Sequence, residues 1–163
     1  MRNKLIVFTL VVQIVYSCVK QKTTNPVPVV DYGDFLNAHK KPNGNDTATL
    51  MLNYEDGDGD LFLDNSKNGP NLIFTSYYFN KTKNVFDAHF IPGTSDTLRY
   101  SVTITQPDNG SYKGKSINGE IYVPMNSFRY DNTEKVIKFR GFMTDSKGHN
   151  SNTFSSPTIS LGF

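Results

Sequence analysis

The sequence of 163 residues predicts an all-β protein, folded as a single antiparallel β-sandwich of seven or eight strands. Three observations support this prediction. From about residue 46 onward, apolar and polar residues alternate with a period of two, as in strands that bury one face. Turn-forming Gly, Asn, Asp and Pro separate these segments, and no helical stripe occurs after the first residues. One domain of about 115–135 residues is long enough to enclose a core of this kind.

The first residues are typical of a secretory signal peptide. Arg2 and Lys4 form a charged start, an apolar run extends from Leu5 to Tyr16, and a small residue precedes Cys18. The twelve residues of this run would rise only about 18 Å as a helix, whereas a hydrocarbon core is about 30 Å thick. We therefore expect residues 1–17 to be a signal and not a membrane-spanning anchor.

The only cysteine of the chain, Cys18, follows this segment. The stretch Val15-Tyr16-Ser17-Cys18 resembles the lipobox of bacterial lipoproteins, which implies that Cys18 is lipidated and becomes the mature N-terminus. The alternative is an ordinary signal peptide with an incidental cysteine. Val19 follows in place of the Asp linked to inner-membrane retention in some bacteria, so the resemblance favours the outer membrane. Residues 18–45 are polar and contain prolines, which predicts an extended tether, with a candidate edge strand near residues 27–32.

Net charge argues against a nucleic-acid partner. The chain has 17 Lys and Arg residues and 15 Asp and Glu residues. Arg2 and Lys4 belong to the predicted signal, so the exported chain carries 15 of each and is formally neutral. No basic stripe remains to attract a phosphate backbone.

The strands follow one another in a regular order within the predicted domain, residues 46–163. In the clearest example, Leu98, Tyr100, Val102 and Ile104 face one way and polar residues alternate with them. A short polar "KTK" connection predicts a hairpin, and Pro157 marks an edge or a bulge in the last segment. The predicted segments are residues 47–54, 71–80, 84–91, 97–105, 117–123, 135–144 and 153–163.

Several short motifs carry a family resemblance. A strand leading into "YEDGDGDL", a Tyr-rich "SYYFN" strand, a "GEI" strand and the final "DSKGHNSN…SPTISL" resemble small bacterial lipoproteins with an immunoglobulin-like or fibronectin-III-like domain. The resemblance covers roughly residues 46–161. It implies an immunoglobulin-like sandwich at the cell envelope, and none of its motifs is catalytic.

The segment "YEDGDGDLFLDN" at residues 54–65 concentrates five carboxylates. Asp56, Asp58 and Asp60 match the first, third and fifth places of an EF-hand loop, but Leu61 replaces the required Gly and Lys67 the final Glu, which excludes an EF-hand. A calcium site at the end of the sandwich, as in cadherins, remains a hypothesis.

In an immunoglobulin topology this acidic loop joins strands B and C, and "DSKGHN" joins F and G at the same end. Asp145 would then approach Asp56, Asp58 and Asp60 as a fourth candidate ligand of Ca²⁺. The alternative is a solvated turn, because Asp-Gly pairs are favoured turn formers and exposed charges are screened by salt.

Residues that could carry catalysis are scarce. His39, His89 and His149 lack the spacing of metal ligands, and neither a GxSxG nucleophile motif nor a phosphate-binding glycine loop occurs. The acidic loop is too crowded to raise one carboxyl pKa for acid catalysis. We therefore predict that the protein is not an enzyme.

The sequence predicts an envelope lipoprotein that presents its β-sandwich to a protein or ligand, with Ca²⁺ as a candidate stabilising ion. The alternative is a glycan-binding accessory lipoprotein at the outer membrane, because aromatic side chains offer stacking surfaces, although strand aromatics are also common in cores. The aromatic residues in question are Tyr77, Tyr78, Phe79, Tyr112, Tyr122, Phe128 and Tyr130.

Two short triplets resemble acceptor sites for O-glycosylation in exported bacterial proteins. They are "DTA" at residues 46–48 and "DTL" at residues 96–98. Thr47 and Thr97 equally suit the starts of strands, so both interpretations stay open here.

Overall fold

The computed structural model describes residues 25–42, 46–64, 69–90, 94–97, 99–106, 112–128 and 133–163. These residues form nine strands and no helix. The predicted signal at residues 1–17 and Cys18 lie outside the described residues. The strands are β1 (Val29–His39), β2 (Thr47–Asp56), β3 (Leu72–Asn80), β4 (Val85–Ala88), β5 (Arg99–Val102), β6 (Ile117–Asn126), β7 (Val136–Met143), β8 (Phe154–Ser155) and β9 (Ile159–Ser160).

The strands make two antiparallel sheets. The first has the order β1-β2-β6, and the second has the order β4-β3-β7-β8. Strand β5 shares the edge of β3 with β4, and β9 shares the edge of β7 with β8. This is an immunoglobulin-like arrangement in which β2 takes the place of strand B, β3 of C and β7 of F. The predicted all-β sandwich is confirmed.

Strand β1 lies in a segment that the sequence assigned to the tether. It runs from Val29 to His39 and pairs along the whole of β2, so the sandwich begins at Val29 and not near residue 46. The predicted edge strand near residues 27–32 is present but longer. Its register shifts between Tyr32 and Asp34 and again between Leu36 and His39, which breaks the period-two pattern that would have revealed it.

Two other predicted strands differ in extent from those observed. Among the described residues of the 97–105 segment, the strand is the four-residue β5, because β4 occupies the rest of the same edge of β3. The last segment is divided at Pro157 into β8 and β9. Thr47 opens β2 and Thr97 forms a single bridge with Phe90, so both threonines lie where strand pairing starts.

The core lies between the inner faces of the two sheets. Phe35 of β1 packs edge-on against Phe128 with ring centroids 5.2 Å apart, and it also contacts Phe139 of β7 at 5.4 Å. Burying each large apolar side chain contributes roughly 1.5–3 kcal/mol. The largest fully buried side chains among the described residues are Phe74, Phe128, Phe139, Phe154, Leu50, Leu52, Leu61, Leu72, Ile137, Met143, Val30 and Val123.

Asn152 joins the two sheets at one edge of the sandwich. Its side-chain Oδ1 accepts a hydrogen bond from the Val30 N–H at 2.8 Å, and its Nδ2 donates to the Val30 carbonyl at 2.9 Å. The amide thus takes the place of a neighbouring strand at this position of β1. This contact connects β1 to the segment between β7 and β8.

Candidate metal centre

Three loops meet at the end of the sandwich where β2 and β7 finish and β6 begins. Ser146, after β7, donates its N–H to the Asp60 carbonyl at 2.9 Å. Gly114, before β6, donates its N–H to the Asp58 carbonyl at 2.6 Å. The predicted meeting of the acidic loop with "DSKGHN" is therefore confirmed, and the turn at residues 112–115 joins them.

Gly59 permits the close approach of the third loop. It has a left-handed φ of +70°, and a Cβ at this position would lie 1.9 Å from the Tyr112 carbonyl oxygen. A side chain would therefore face both backbone strain and a direct collision. The glycine spacing of "DGDGD" serves this contact as well as the turn itself.

Asp56 organises the loop from its first position. Its Oδ2 accepts hydrogen bonds from the N–H groups of Asp60 at 2.8 Å and Leu61 at 2.9 Å. Leu61 then enters the core, and its carbonyl accepts a bond from the Asn71 side chain at 3.3 Å. The acidic loop is thus held between the end of β2 and the core and is not a freely solvated turn.

The carboxylates of Asp56, Asp58 and Asp60 converge on one another. One oxygen from each lies within 4.8 Å of the others, close enough for all three to reach a single cation. Asp56 and Asp60 are buried, with exposures of 2% and 3%. The Oδ1 atoms of all three residues are buried, and no hydrogen-bond donor in the described part of the chain reaches them.

Lys147 supplies a positive charge to this cluster from the loop after β7. Its Nζ lies 2.5 Å from Asp58 Oδ2 and 3.0 Å from Asp60 Oδ2. When all three carboxylates are ionised, this single ammonium leaves a formal charge of −2 on the cluster. The arrangement could therefore take one divalent cation without excess positive charge.

The expectation that the acidic loop cannot raise a carboxyl pKa is wrong, because the pKa values of Asp56 and Asp60 are both raised, and the cluster therefore favours additional positive charge. Burial raises the pKa of Asp56, against the effect of hydrogen bonds from Leu61 and Asp60. Burial also raises the pKa of Asp60, and the charges of Asp145 and Asp58 act in the same direction. For Asp58, burial is outweighed by hydrogen bonds, chiefly from Lys147, so its pKa is lowered. Hydrogen bonds to Asp58 and Asp60 raise the pKa of Lys147.

Asp145 lies beside the cluster but is not one of its converging carboxylates. Its Oδ1 accepts hydrogen bonds from the N–H groups of Lys147 at 2.9 Å and His149 at 2.8 Å, and its Oδ2 contacts His149 Nδ1 at 2.7 Å. Both of its oxygens are therefore occupied. In this geometry Asp145 holds the turn that carries Lys147, and its role as a metal ligand stays a prediction.

Most of the histidines and aromatic residues that the sequence brought into consideration lie away from this end. His89 is buried, with its Nε2 3.2 Å from a Glu134 carboxylate oxygen. Among the candidate stacking aromatics, Phe128 is fully buried in the core and Tyr122 is 54% exposed on the outer face of β6. Tyr130 lies outside the described residues.

Neither the ion pairs of Lys147 nor the contact between the turn at residues 112–115 and the acidic loop was predicted from the sequence. Lys147 is separated from Asp58 by 89 positions, so only the assumed topology could have linked them. The signal was the Lys within "DSKGHN", in a loop already placed opposite the acidic one. Composition indicates a turn before β6, but no spacing rule indicates that this turn contacts the acidic loop.

No protein-family model, curated protein or solved structure matches this chain. Within the described residues there is no helix with the length and apolar character required to cross a bilayer. The cluster of Asp56, Asp58 and Asp60 could hold a metal ion on the strength of its own geometry.

Replacing Asp56 should test its role as organiser of the loop. We expect Asp56→Ala to lower the free energy of unfolding by roughly 2–3 kcal/mol, because two buried backbone N–H groups lose their acceptor. Asp56→Asn keeps an acceptor oxygen and should cost clearly less. Urea unfolding in EDTA measures both variants, and equal midpoints for Asp56→Ala and the unmodified protein would contradict this role.

Proposed function

We propose that this chain is a non-enzymatic, lipid-anchored protein of the bacterial envelope whose immunoglobulin-like sandwich binds Ca²⁺ through Asp56, Asp58 and Asp60. One observation carries the proposal: the Oδ1 atoms of the three converging carboxylates are buried, and no donor among the described residues reaches them. A buried polar atom without a partner costs about 1–3 kcal/mol, and more when charged. A bound cation would remove this cost and fix the acidic loop, to which the other two loops are hydrogen-bonded.

The chemistry of the donors favours calcium among divalent cations. All candidate ligand atoms are carboxylate oxygens, which suit hard cations, whereas zinc sites draw on Cys and His. Calcium accepts six to eight oxygens in irregular geometry at about 2.3–2.6 Å, with water completing the shell. Magnesium requires a near-ideal octahedron at about 2.0–2.1 Å, which an irregular loop supplies poorly.

The envelope location rests on the first residues of the chain. The lipobox-like Val15–Cys18 stretch supports lipidation of Cys18, and Val19 supports the outer membrane. Because β1 begins at Val29, ten residues separate it from Cys18. A fully extended chain of that length reaches at most about 36 Å, so the sandwich would stay close to the lipid surface. A protein partner at the envelope fits this placement, and we propose no role for nucleic acid.

Thermal unfolding with and without calcium tests the metal site. For the exported chain, residues 18–163, Ca²⁺ at about a hundredfold excess over its Kd should add about 2.7 kcal/mol relative to EDTA. For a domain of this size we expect Tm to rise by on the order of 10 °C. Asp60→Asn should abolish most of the shift.

The exposed Asp96 provides a matched control. Asp96→Asn removes the same charge from another loop and should keep the full calcium response. Mg²⁺ at the same concentration should raise Tm less than Ca²⁺. A single Tm shared by the calcium and EDTA samples, with millimolar calcium present, would rule out the site.

Lipidation is tested by changing Cys18. The unmodified protein, expressed in a bacterium, should incorporate labelled palmitate and enter the detergent phase on Triton X-114 partition. Cys18→Ser should lose both properties and move to the aqueous phase. Protease treatment of intact cells then reports which face of the membrane carries the sandwich. An unlabelled, aqueous wild-type protein would be inconsistent with the proposed anchor.

Glycan binding is a second candidate function, and one observation favours it. A cleft of about 480 Å³ lies beside the acidic loop. Aromatic rings of Tyr54, Phe62 and Tyr112 line it together with polar side chains of Ser116 and Asn118. Aromatic faces combined with a few polar groups are the usual composition of small-ligand sites, sugar sites included.

Binding to soluble polysaccharides and a glycan array tests this second candidate. Tyr112→Ala should weaken binding roughly tenfold, because it removes one stacking face. Tyr122→Ala alters an exposed tyrosine outside the cleft and should have no effect. EDTA should also weaken binding, since the backbone at residues 112–115 contacts the acidic loop. Equal binding by the Tyr112 and Tyr122 variants would dismiss the cleft as the site.

A further inference from the structure

Lys147 contacts the carboxylate cluster through its ammonium group, and most of its side chain is exposed. Its Nζ contacts Asp58 Oδ2 and Asp60 Oδ2, while its side chain is 57% exposed. The side chain of Asp60, in contrast, is almost completely buried, at 2%. The ammonium could therefore leave the cluster for water without uncovering apolar core, whereas the carboxylates are fixed in place.

The two oxygens that Lys147 contacts are further ligands that a calcium ion in this cluster could take. The three unpartnered Oδ1 atoms supply three ligands, and the Oδ2 atoms of Asp58 and Asp60 would bring the number to five. Calcium requires six to eight, the remainder of which water can provide. An ammonium on two of these oxygens also repels a dication a few ångströms away.

The backbone around Lys147 is held independently of its side chain. Asp145 Oδ1 accepts the N–H groups of Lys147 and His149, and the Gly148 N–H donates to the Asp145 carbonyl at 3.2 Å. Ser146 N–H remains bonded to the Asp60 carbonyl. Release of the ammonium would therefore need a change of side-chain rotamers only, with the turn left in place.

We propose that Lys147 is a displaceable internal cation, which offsets part of the negative charge of the cluster in the metal-free protein and is expelled when a divalent cation binds. This inference rests on the proposed calcium site and adds its regulation. Competition with Lys147 lowers the affinity for calcium, so that the Kd moves toward the value of about 10⁻⁴–10⁻³ M found in extracellular calcium-binding modules. Each binding event also transfers one positive charge from the cluster to the exposed tip of the loop.

Calcium titration of Lys147→Met separates displacement from a merely structural ion pair. Methionine keeps the length of the stem and removes the competitor, so calcium should bind about tenfold more tightly or better. The Tm in EDTA should fall, because the carboxylates lose their counter-charge. Lys83→Met is the matched control, since Lys83 is a 65% exposed lysine paired with Asp87 at 3.0 Å; it should leave the calcium Kd unchanged.

The reactivity of the lysine itself provides a second measurement. In the unmodified protein, acetylation of Lys147 by acetic anhydride, followed by mass spectrometry, should be slow in EDTA and several-fold faster at saturating calcium. Lys83 is an internal reference, because its ion pair is remote from the cluster and its rate should not respond. The ratio of the two rates removes differences in reagent activity between samples.

The outcomes distinguish this inference from the function on which it rests. If calorimetry and melting detect no calcium binding, both fail together. If calcium binds in a manner that requires Asp60, but Lys147→Met binds it no more tightly and the acetylation ratio stays constant, Lys147 remains in the loaded site. That result overturns displacement alone and leaves the calcium site intact.

Discussion

The repulsion among three neighbouring carboxylates is the constraint on which this end of the molecule depends. Asp56, Asp58 and Asp60 are drawn together by backbone hydrogen bonds and by the entry of Leu61 into the core. In water an isolated loop of this sequence would spread its charges apart. Here the counter-charge comes from Lys147, which lies in the loop after β7. The acidic loop and the pairing of the sheets therefore stabilise each other.

A small number of hydrogen-bonded residues connects the carboxylate cluster to the core. Asp56 is the last residue of β2, and Asn71 precedes β3 while bonding the carbonyls of Leu61 and Ile104. The Thr144 N–H, at the end of β7, donates to the Asn71 carbonyl at 2.7 Å. Strands from both sheets thus end on one hydrogen-bond network. A cation bound in the loop would stabilise the sandwich as a whole, since moving the carboxylates apart requires breaking these bonds.

The sequence was most informative where one physical rule acted alone. Period-two alternation located seven of the eight strand-forming segments, and the topology this implied brought the acidic loop and Asp145 to the same end. Prediction from the sequence pattern failed where two effects competed. Irregular pairing hid β1 behind a tether-like composition, and the shared edge of β3 shortened β5. The roles of Lys147 and Asp145 depend on contacts at ångström resolution between distant loops, which no spacing rule contains.

The register of β1 bears on how the domain would sit at a membrane. Val29, its first residue, pairs with Glu55, so the chain enters the sandwich at the end that carries the carboxylate cluster. The hairpin turn at residues 81–84 lies at the opposite end, because β3 runs away from the acidic loop. With lipid on Cys18, the cation end would face the membrane and the hairpin would point away. A partner arriving from the aqueous side would then meet the hairpin first.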